Sequence, residues 1–239
     1  MLKSEKKTNI IQWTDSEQVI EWFLKLENKE QYEFIKFDVE SFYPSITEEL
    51  LDKAISFGKM FTEIKDEDIR IIKNAAKSVL CNGDEIWIKR EKNNCHPTFD
   101  ITMGSYHGAE VCELVGLFMM NKISNLIPKH HVGIYRDDGL AVIKKQPGHR
   151  TEKLKKKLHE CAREMGLKFE IEGPMIRTDF LDLSFDMQNG TYAPFRKKNN
   201  EIKYIHTKSN HPSTIIRQIP NMISKRLTDR SINKDEFST

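Results

Sequence analysis

The sequence predicts an α+β fold, an antiparallel sheet backed by helices. Segments that alternate with period two and segments with helical spacing follow in the order strand, two helices, strand, helix, hairpin, helix, strand. Within that order, residues 133–142 form two short apolar runs around Asp137-Asp138-Gly139, a hairpin signal that holds both carboxylates at a rigid tip. At 239 residues, 38% hydrophobic and 31% charged, the chain suffices for one domain, or one with a small appendage, around a substantial core.

The elements are justified in chain order. After a polar start, Val19, Ile20, Trp22, Phe23 and Leu24 predict a short amphipathic helix packed on the body, with no chemistry of its own. In residues 34–46, Ile35, Phe37 and Val39 alternate onto one strand face, which leaves Lys36 and Asp38 on the other, before a turn marked by Pro44. A capping box from Ser45 to Glu48 then opens a helix with Leu50, Leu51, Ala54 and Ile55 inward, Phe57 packed near its end and Gly58 as its stop. Asp66, Glu67 and Asp68 start a second helix, whose Ile69, Ile72, Ala76, Val79 and Leu80 face the core. Asn82-Gly83-Asp84 turns into a strand over 85–89, with Trp87 in the core, and a polar loop covers 91–97.

From 108 to 126 the residues are apolar on most sides, as in a buried helix. Glu110 and Glu113 share one face of it, which either borders a cleft or is partly exposed and paired with lysines. Its approach, 103–108, contains two glycines, so the backbone there can come close to a ligand, or form an ordinary flexible turn. Leu154, Leu158, Cys161, Ala162 and Met165 form a helical stripe ended by Gly166, and Leu167, Phe169 and Ile171 alternate after it. Asn189-Gly190 joins strands over 180–185 and 191–195, residues 202–205 suit another strand, and Ile215, Ile216, Ile219, Ile223 and Leu227 outline a helix interrupted by Pro220.

Net charge is only +2, from 38 basic and 36 acidic residues, so bulk electrostatics alone do not indicate nucleic acid. A basic groove would need clustering. Arg196, Lys197 and Lys198 form one candidate, and Lys153, Lys155, Lys156 and Lys157 read as a solvated helix face. Cys81, Cys95, Cys112 and Cys161 lack zinc-like spacing, which suggests reduced thiols in an intracellular protein, nuclear or cytoplasmic. The charged first eight residues lack the apolar region of a secretory signal, and no charge-free apolar run is long enough to span a membrane. Nothing in the sequence fixes an oligomeric state.

Asp-Asp-Gly alone is ordinary turn chemistry. The balance shifts because Asp38 stands at another strand end, 99 positions upstream (137 minus 38). Two such clusters side by side would make an all-oxygen site of the kind Mg²⁺ or Mn²⁺ prefers, and a pair of ions about 4 Å apart suits phosphoryl transfer.

The Asp38 segment resembles motif A of reverse transcriptases, Met103-Gly104-Ser105 the core of their motif B, and Tyr135-Arg136-Asp137-Asp138 their motif C. Further on, Phe180-Leu181-Asp182-Leu183, Phe195-Arg196-Lys197-Lys198 and Ser209-Asn210-His211-Pro212 resemble the FLDL, YRKP and SNHP blocks of Penelope-like retroelement polymerases. The six blocks stand in family order over about residues 31–227.

The resemblance implies a polymerase palm over 31–211, a helical remnant of the fingers over 1–30, and the start of a thumb or a tail over 212–239, with fingers and thumb largely truncated. It implies RNA-templated DNA synthesis with two Mg²⁺ or Mn²⁺ ions, deoxynucleoside triphosphates and an RNA or DNA template with primer. Asp38, Asp137 and the carbonyl of Val39 would bind the ions, and Asp138 would support them. Backbone amides of Glu40, Ser41, Phe42 and Tyr43 would hold the triphosphate, with Tyr43 as gate against a ribose 2′-hydroxyl. Gly104 would border the nucleotide, and Lys168 would donate a proton to pyrophosphate.

Three departures stand out: no prolines follow Gly104-Ser105, Lys198 occupies the proline position of YRKP, and only 37 residues precede Asp38. Residues 38–46 also resemble the DxxSLYPSI motif of family B DNA polymerases, whose other motifs are missing here. The other rivals are a catalytically silent palm that binds nucleic acid or a protein, and a metal-dependent nuclease, which would need neither Tyr43 nor the motif B glycines.

Overall fold

The computed structural model describes residues 8–77, 79–87, 98–195, 205–206 and 208–232. They form two compact units, one from Met1–Trp13 and Ile35–Pro174, the other from Thr14–Phe34 and Met175–Thr239.

The first unit is built on a five-stranded sheet. Strands β1 (Ile11–Gln12), β2 (Tyr32–Val39), β5 (Val132–Tyr135), β6 (Asp138–Lys144) and β7 (Phe169–Met175) lie in the order β1-β5-β6-β2-β7. β5 and β6 pair antiparallel as the expected hairpin. β1 was not expected, and it pairs parallel to β5, so one edge of the sheet departs from the antiparallel reading. Two residues are too few to show a period. The edge is fixed instead by Trp13, whose N–H donates to the Ile134 carbonyl at 2.8 Å. Its indole covers Gly133, where an added Cβ would lie 2.5 Å from the ring.

Helices α3 (Glu48–Lys59), α5 (Gly108–Ile123) and α6 (Gly148–Glu164) share one core with the sheet. Leu50, Leu51, Ala54 and Ile55 of α3 are buried against Val115, Met119 and Ile123 of α5 and Phe37 and Val39 of β2. Each large apolar side chain buried there contributes about 1.5–3 kcal/mol. The N-cap of α3 is Thr47, whose hydroxyl accepts from Leu50 N–H, and not Ser45, which ends the short turn α2 (Phe42–Ser45). Gly58 lies inside α3, since the helix runs on to Lys59.

Helix α4 (Asp66–Ala75) is shorter than its apolar spacing suggested. Ala76 is buried, but Val79 is 47% exposed and Leu80 belongs to β3 (Leu80–Asn82), which pairs antiparallel with β4 (Glu85–Trp87). Trp87, expected in the core, is 56% exposed and its indole N–H donates to Glu85 at 3.2 Å. A two-stranded ribbon has no second layer to bury an aromatic ring. The ends of the expected strand and loop over 88–97, with Cys95-His96, fall outside the described residues, as do Arg196, Lys197, Lys198 and positions 202–204.

The second unit contains helix α1 (Ser16–Lys25), the three-stranded antiparallel sheet of β8 (Arg177–Phe180), β9 (Leu183–Asp186) and β10 (Thr191–Pro194), and helix α7 (Ser213–Asp229). Val19, Ile20, Trp22 and Phe23 are buried as expected, whereas Leu24 is exposed. Phe23, Phe34 and Phe185 pack together with ring centroids 5.0–6.3 Å apart. The expected strand over 180–185 is two strands, because Leu181 with φ +56° and Asp182 make a tight turn. Arg226 and Arg230 bind Asp182 at that turn, at 2.9 and 3.0 Å. Among the described residues no helix is long and apolar enough to cross a membrane.

Candidate catalytic carboxylate site

β2 is half-buried or buried in alternation, so Phe37 and Val39 enter the core while Lys36 and Asp38 stay on the opposite face. Beside it, the β5–β6 hairpin turns through Arg136 and Asp137 alone, with Tyr135 paired to Asp138. Arg136 takes the left-handed conformation the tight loop requires, φ +56°. Gly139 is thus not the turn residue its Asp-Gly context suggested; it sits in β6, where a Cβ would lie 2.0 Å from the Phe37 ring.

A backbone bond beyond the strand ladders joins the two carboxylate segments: Val39 N–H donates to the Asp137 carbonyl at 3.3 Å. Asp38 and Asp137 therefore stand at adjoining strand ends, the arrangement expected from their sequence context. Burial raises the pKa of Asp38, and the negative charges of Asp137 and Glu170 raise it further, against smaller opposing effects of the Val39 N–H and Lys36. Glu170, on the neighbouring strand β7, is a site residue that the sequence reading missed. The alternation that places Phe169 and Ile171 inward already puts Glu170 on the other face; what it cannot show is that β7 lies next to β2.

The segment after Asp38 folds back sharply. Ser41 has φ +51° and opens the α2 turn, and Ser45 Oγ donates to the Glu40 carbonyl at 3.3 Å. Phe42 is buried, and half-buried Tyr43 faces α5, 3.7 Å from where a Cβ on Gly108 would be. Burial and the neighbouring Cys112 raise the pKa of Tyr43, while burial pushes the Cys112 thiol up to about 12. Tyr43 and Cys112 both sense the charges of Arg136 and Asp137, so this wall of α5 borders the carboxylates.

Glu40 is occupied twice. Its N–H donates to the Lys168 carbonyl at 2.9 Å, and its carboxylate pairs with the Lys168 ammonium, which raises the pKa of Lys168. Of the four amides expected around a triphosphate, that of Glu40 is therefore already engaged. Gly104 lies in the loop before α5 with φ +85° and open space where a Cβ would stand. Gly108 is required for packing, since a Cβ would meet Ser105 Oγ at 2.6 Å and the Thr102 carbonyl at 2.9 Å.

Among the described residues no group of three or more His, Cys, Asp or Glu side chains is arranged to hold a metal ion by itself. The donor set fits a hard cation of another kind. Asp38, Asp137 and a strand-end carbonyl would suit Mg²⁺ or Mn²⁺, which keep several waters and take remaining ligands from substrate phosphates. A cation bound beside Asp38 would also relieve the repulsion by Asp137 and Glu170 that adds to its raised pKa.

No family model matches the chain, and no curated protein matches it. Solved structures do. Apo telomerase from Candida tropicalis, truncated from its C-terminal domain, aligns with TM-score 0.58 at 14% identity over 81% of this chain and 42% of that one. Telomerase from Candida tropicalis in complex with a TWJ fragment of telomeric RNA aligns with TM-score 0.59 at 13% identity over 92% of this chain and 38% of that one. The Candida albicans telomerase with the same kind of RNA fragment gives TM-score 0.55, 11% identity, and coverages of 92% and 39%. The chain thus spans about two fifths of the length of these structures. At such identities the likeness is one of fold, and the fold this α+β chain shares is that of telomerase.

Proposed function

We propose that the chain is the palm of a reverse transcriptase of Penelope-like retroelement type and performs RNA-templated DNA synthesis by two-metal nucleotidyl transfer. The observation that carries this reading is the Val39 to Asp137 backbone bond, which sets Asp38 beside Asp137 on adjoining strand ends. The order of motifs along the sequence and the telomerase fold support it.

Asp38, Asp137 and the Val39 carbonyl would hold two Mg²⁺ or Mn²⁺ ions, with Asp138, the first residue of β6, in support. When bound, such ions activate the primer hydroxyl and neutralise the leaving oxygen. The protein's own part is positioning. Phe37 against Gly139 and Val39 against the hairpin fix the spacing of the carboxylates. Tyr43, held against α5, would bar a ribose 2′-hydroxyl, and the amides of Ser41, Phe42 and Tyr43 would face the triphosphate. Lys168 would donate to pyrophosphate after leaving Glu40, its partner in this structure. RNA or DNA template with primer, and deoxynucleoside triphosphates, would be its partners.

The test is extension of a DNA primer on an RNA template with deoxynucleotides and Mg²⁺ or Mn²⁺. Extension by the chain and its loss in the Asp137→Asn, Asp138→Asn double variant are expected. No extension by folded protein would overturn autonomous synthesis and favour a silent palm that binds nucleic acid or a protein partner. Extension on DNA but not RNA templates would favour a DNA-templated enzyme. Tyr43→Ala is expected to raise incorporation of ribonucleotides relative to deoxynucleotides by about tenfold or more, a change of roughly 1.4 kcal/mol in discrimination.

A further inference from the structure

Helix α5 has a second working face. Cys112 looks toward Tyr43 and the carboxylate site, whereas Glu110, Glu113, Leu114 and Leu117 line a separate cavity of about 400 Å³ between α3, α4 and α5. That volume is in the range of small-molecule sites. Its floor is apolar, with half-buried Ile64, Ile72 and Leu114 over the buried Leu51, Val111 and Leu117. Its rim is acidic: Glu63, Asp68, Glu110 and Glu113 line it, and among the described residues no lysine or arginine does.

None of the four carboxylates forms an ion pair with a described residue; Asp68 accepts only from the Lys65 backbone N–H, at 3.3 Å. Among the described residues Glu110 and Glu113 thus have no lysine partner. His107 also lines the cavity, and its Nε2 is enclosed without a hydrogen-bond partner.

The chemistry of an occupant follows. Phosphate is repelled by four carboxylates, so this cavity does not extend a nucleic-acid track. A bare metal ion does not suit it, because the floor offers apolar contact in place of oxygen ligands. An apolar body that carries one ammonium group satisfies both halves: the body displaces water from half-buried Ile64, Ile72 and Leu114, and the ammonium donates to the acidic rim. We propose that this cavity is a binding site for a small organic amine with an aryl or alkyl body, independent of the nucleotidyl-transfer reading. Because α5 walls both sites, an occupant would touch the helix that carries Tyr43's neighbours.

The test uses two probes with similar apolar bodies and opposite charge, 2-phenylethylamine and 3-phenylpropionate, titrated into the intact chain with ligand-observed NMR. The amine is expected to bind about tenfold or more tightly than the carboxylate. The Glu110→Gln, Glu113→Gln double variant, with circular dichroism unchanged, is expected to lose that preference. No binding of the amine, equal binding of the two probes, or a preference that survives in the double variant would overturn the proposal. Should the double variant fail to fold, Thr62→Trp at the rim serves instead: blocked amine binding is expected, and undiminished binding overturns the site.

Discussion

Asp38 stands half-buried at the end of β2 against the like charges of Asp137 and Glu170, and its pKa is raised by burial and by both of them. An acid whose folded pKa is raised binds more protons folded than unfolded as it titrates, so its charge lowers stability as pH rises above the unfolded value of about 3.9. The penalty is full above the folded pKa. Asp38→Asn is therefore expected to raise the melting temperature at neutral pH in divalent-free buffer, and the gain should shrink as pH falls toward about 4. Thermal melts with a chelator present check this, and a variant less stable than wild type at neutral pH would contradict it. Gly139→Ala has the opposite sign, since its Cβ would lie 2.0 Å from the Phe37 ring. Overpacking of this kind costs about 1–3 kcal/mol, readable by urea denaturation. The face of Asp38 was legible in sequence, because alternation with Phe37 and Val39 is local. Glu170 and the true role of Gly139 were not, because each depends on a neighbour that only strand pairing brings: β2 for Glu170, the Phe37 ring for Gly139.

At the scale of elements, two hairpins share one design. Tyr135-Arg136-Asp137-Asp138 and Phe180-Leu181-Asp182-Leu183 each place a non-glycine residue at φ +56° and an aspartate after it in a two-residue loop. The first was read from Asp137-Asp138-Gly139; the second was hidden, because leucine is not a turn residue and apolar residues flank it on both sides. Its aspartate serves structure, bound by Arg226 and Arg230. Asp182→Ala is expected to speed amide hydrogen exchange along α7, a helix with no buried residue of its own. Exchange unchanged over Ser213–Asp229 would contradict that anchoring role. Helix boundaries were the other weak point. Ser45 and Thr47 both offer a hydroxyl near the start of α3, and Ser45 instead caps the α2 turn back to Glu40. Thr47→Ala is expected to cost about 1 kcal/mol in denaturant unfolding, and Ser45→Ala less.

At the scale of the whole molecule, the α+β order, the central hairpin and the core helices were legible because each has a period of its own. The parallel edge strand β1 and strand β3 were not, being too short to show one; β4 was expected, but not its exposure beside β3. The sheet order β1-β5-β6-β2-β7 gathers residues from positions 38, 137 and 170 at adjoining strand ends, and that convergence carries the functional account. It can be tested without relying on turnover. Mn²⁺ titrated into the folded chain with a deoxynucleoside triphosphate, followed by electron paramagnetic resonance, should show saturable binding beyond that of the nucleotide alone. The Asp38→Asn, Asp137→Asn double variant should lose it. Binding equal in wild type and double variant, or no protein-dependent binding at all, would contradict a carboxylate site for nucleotidyl transfer.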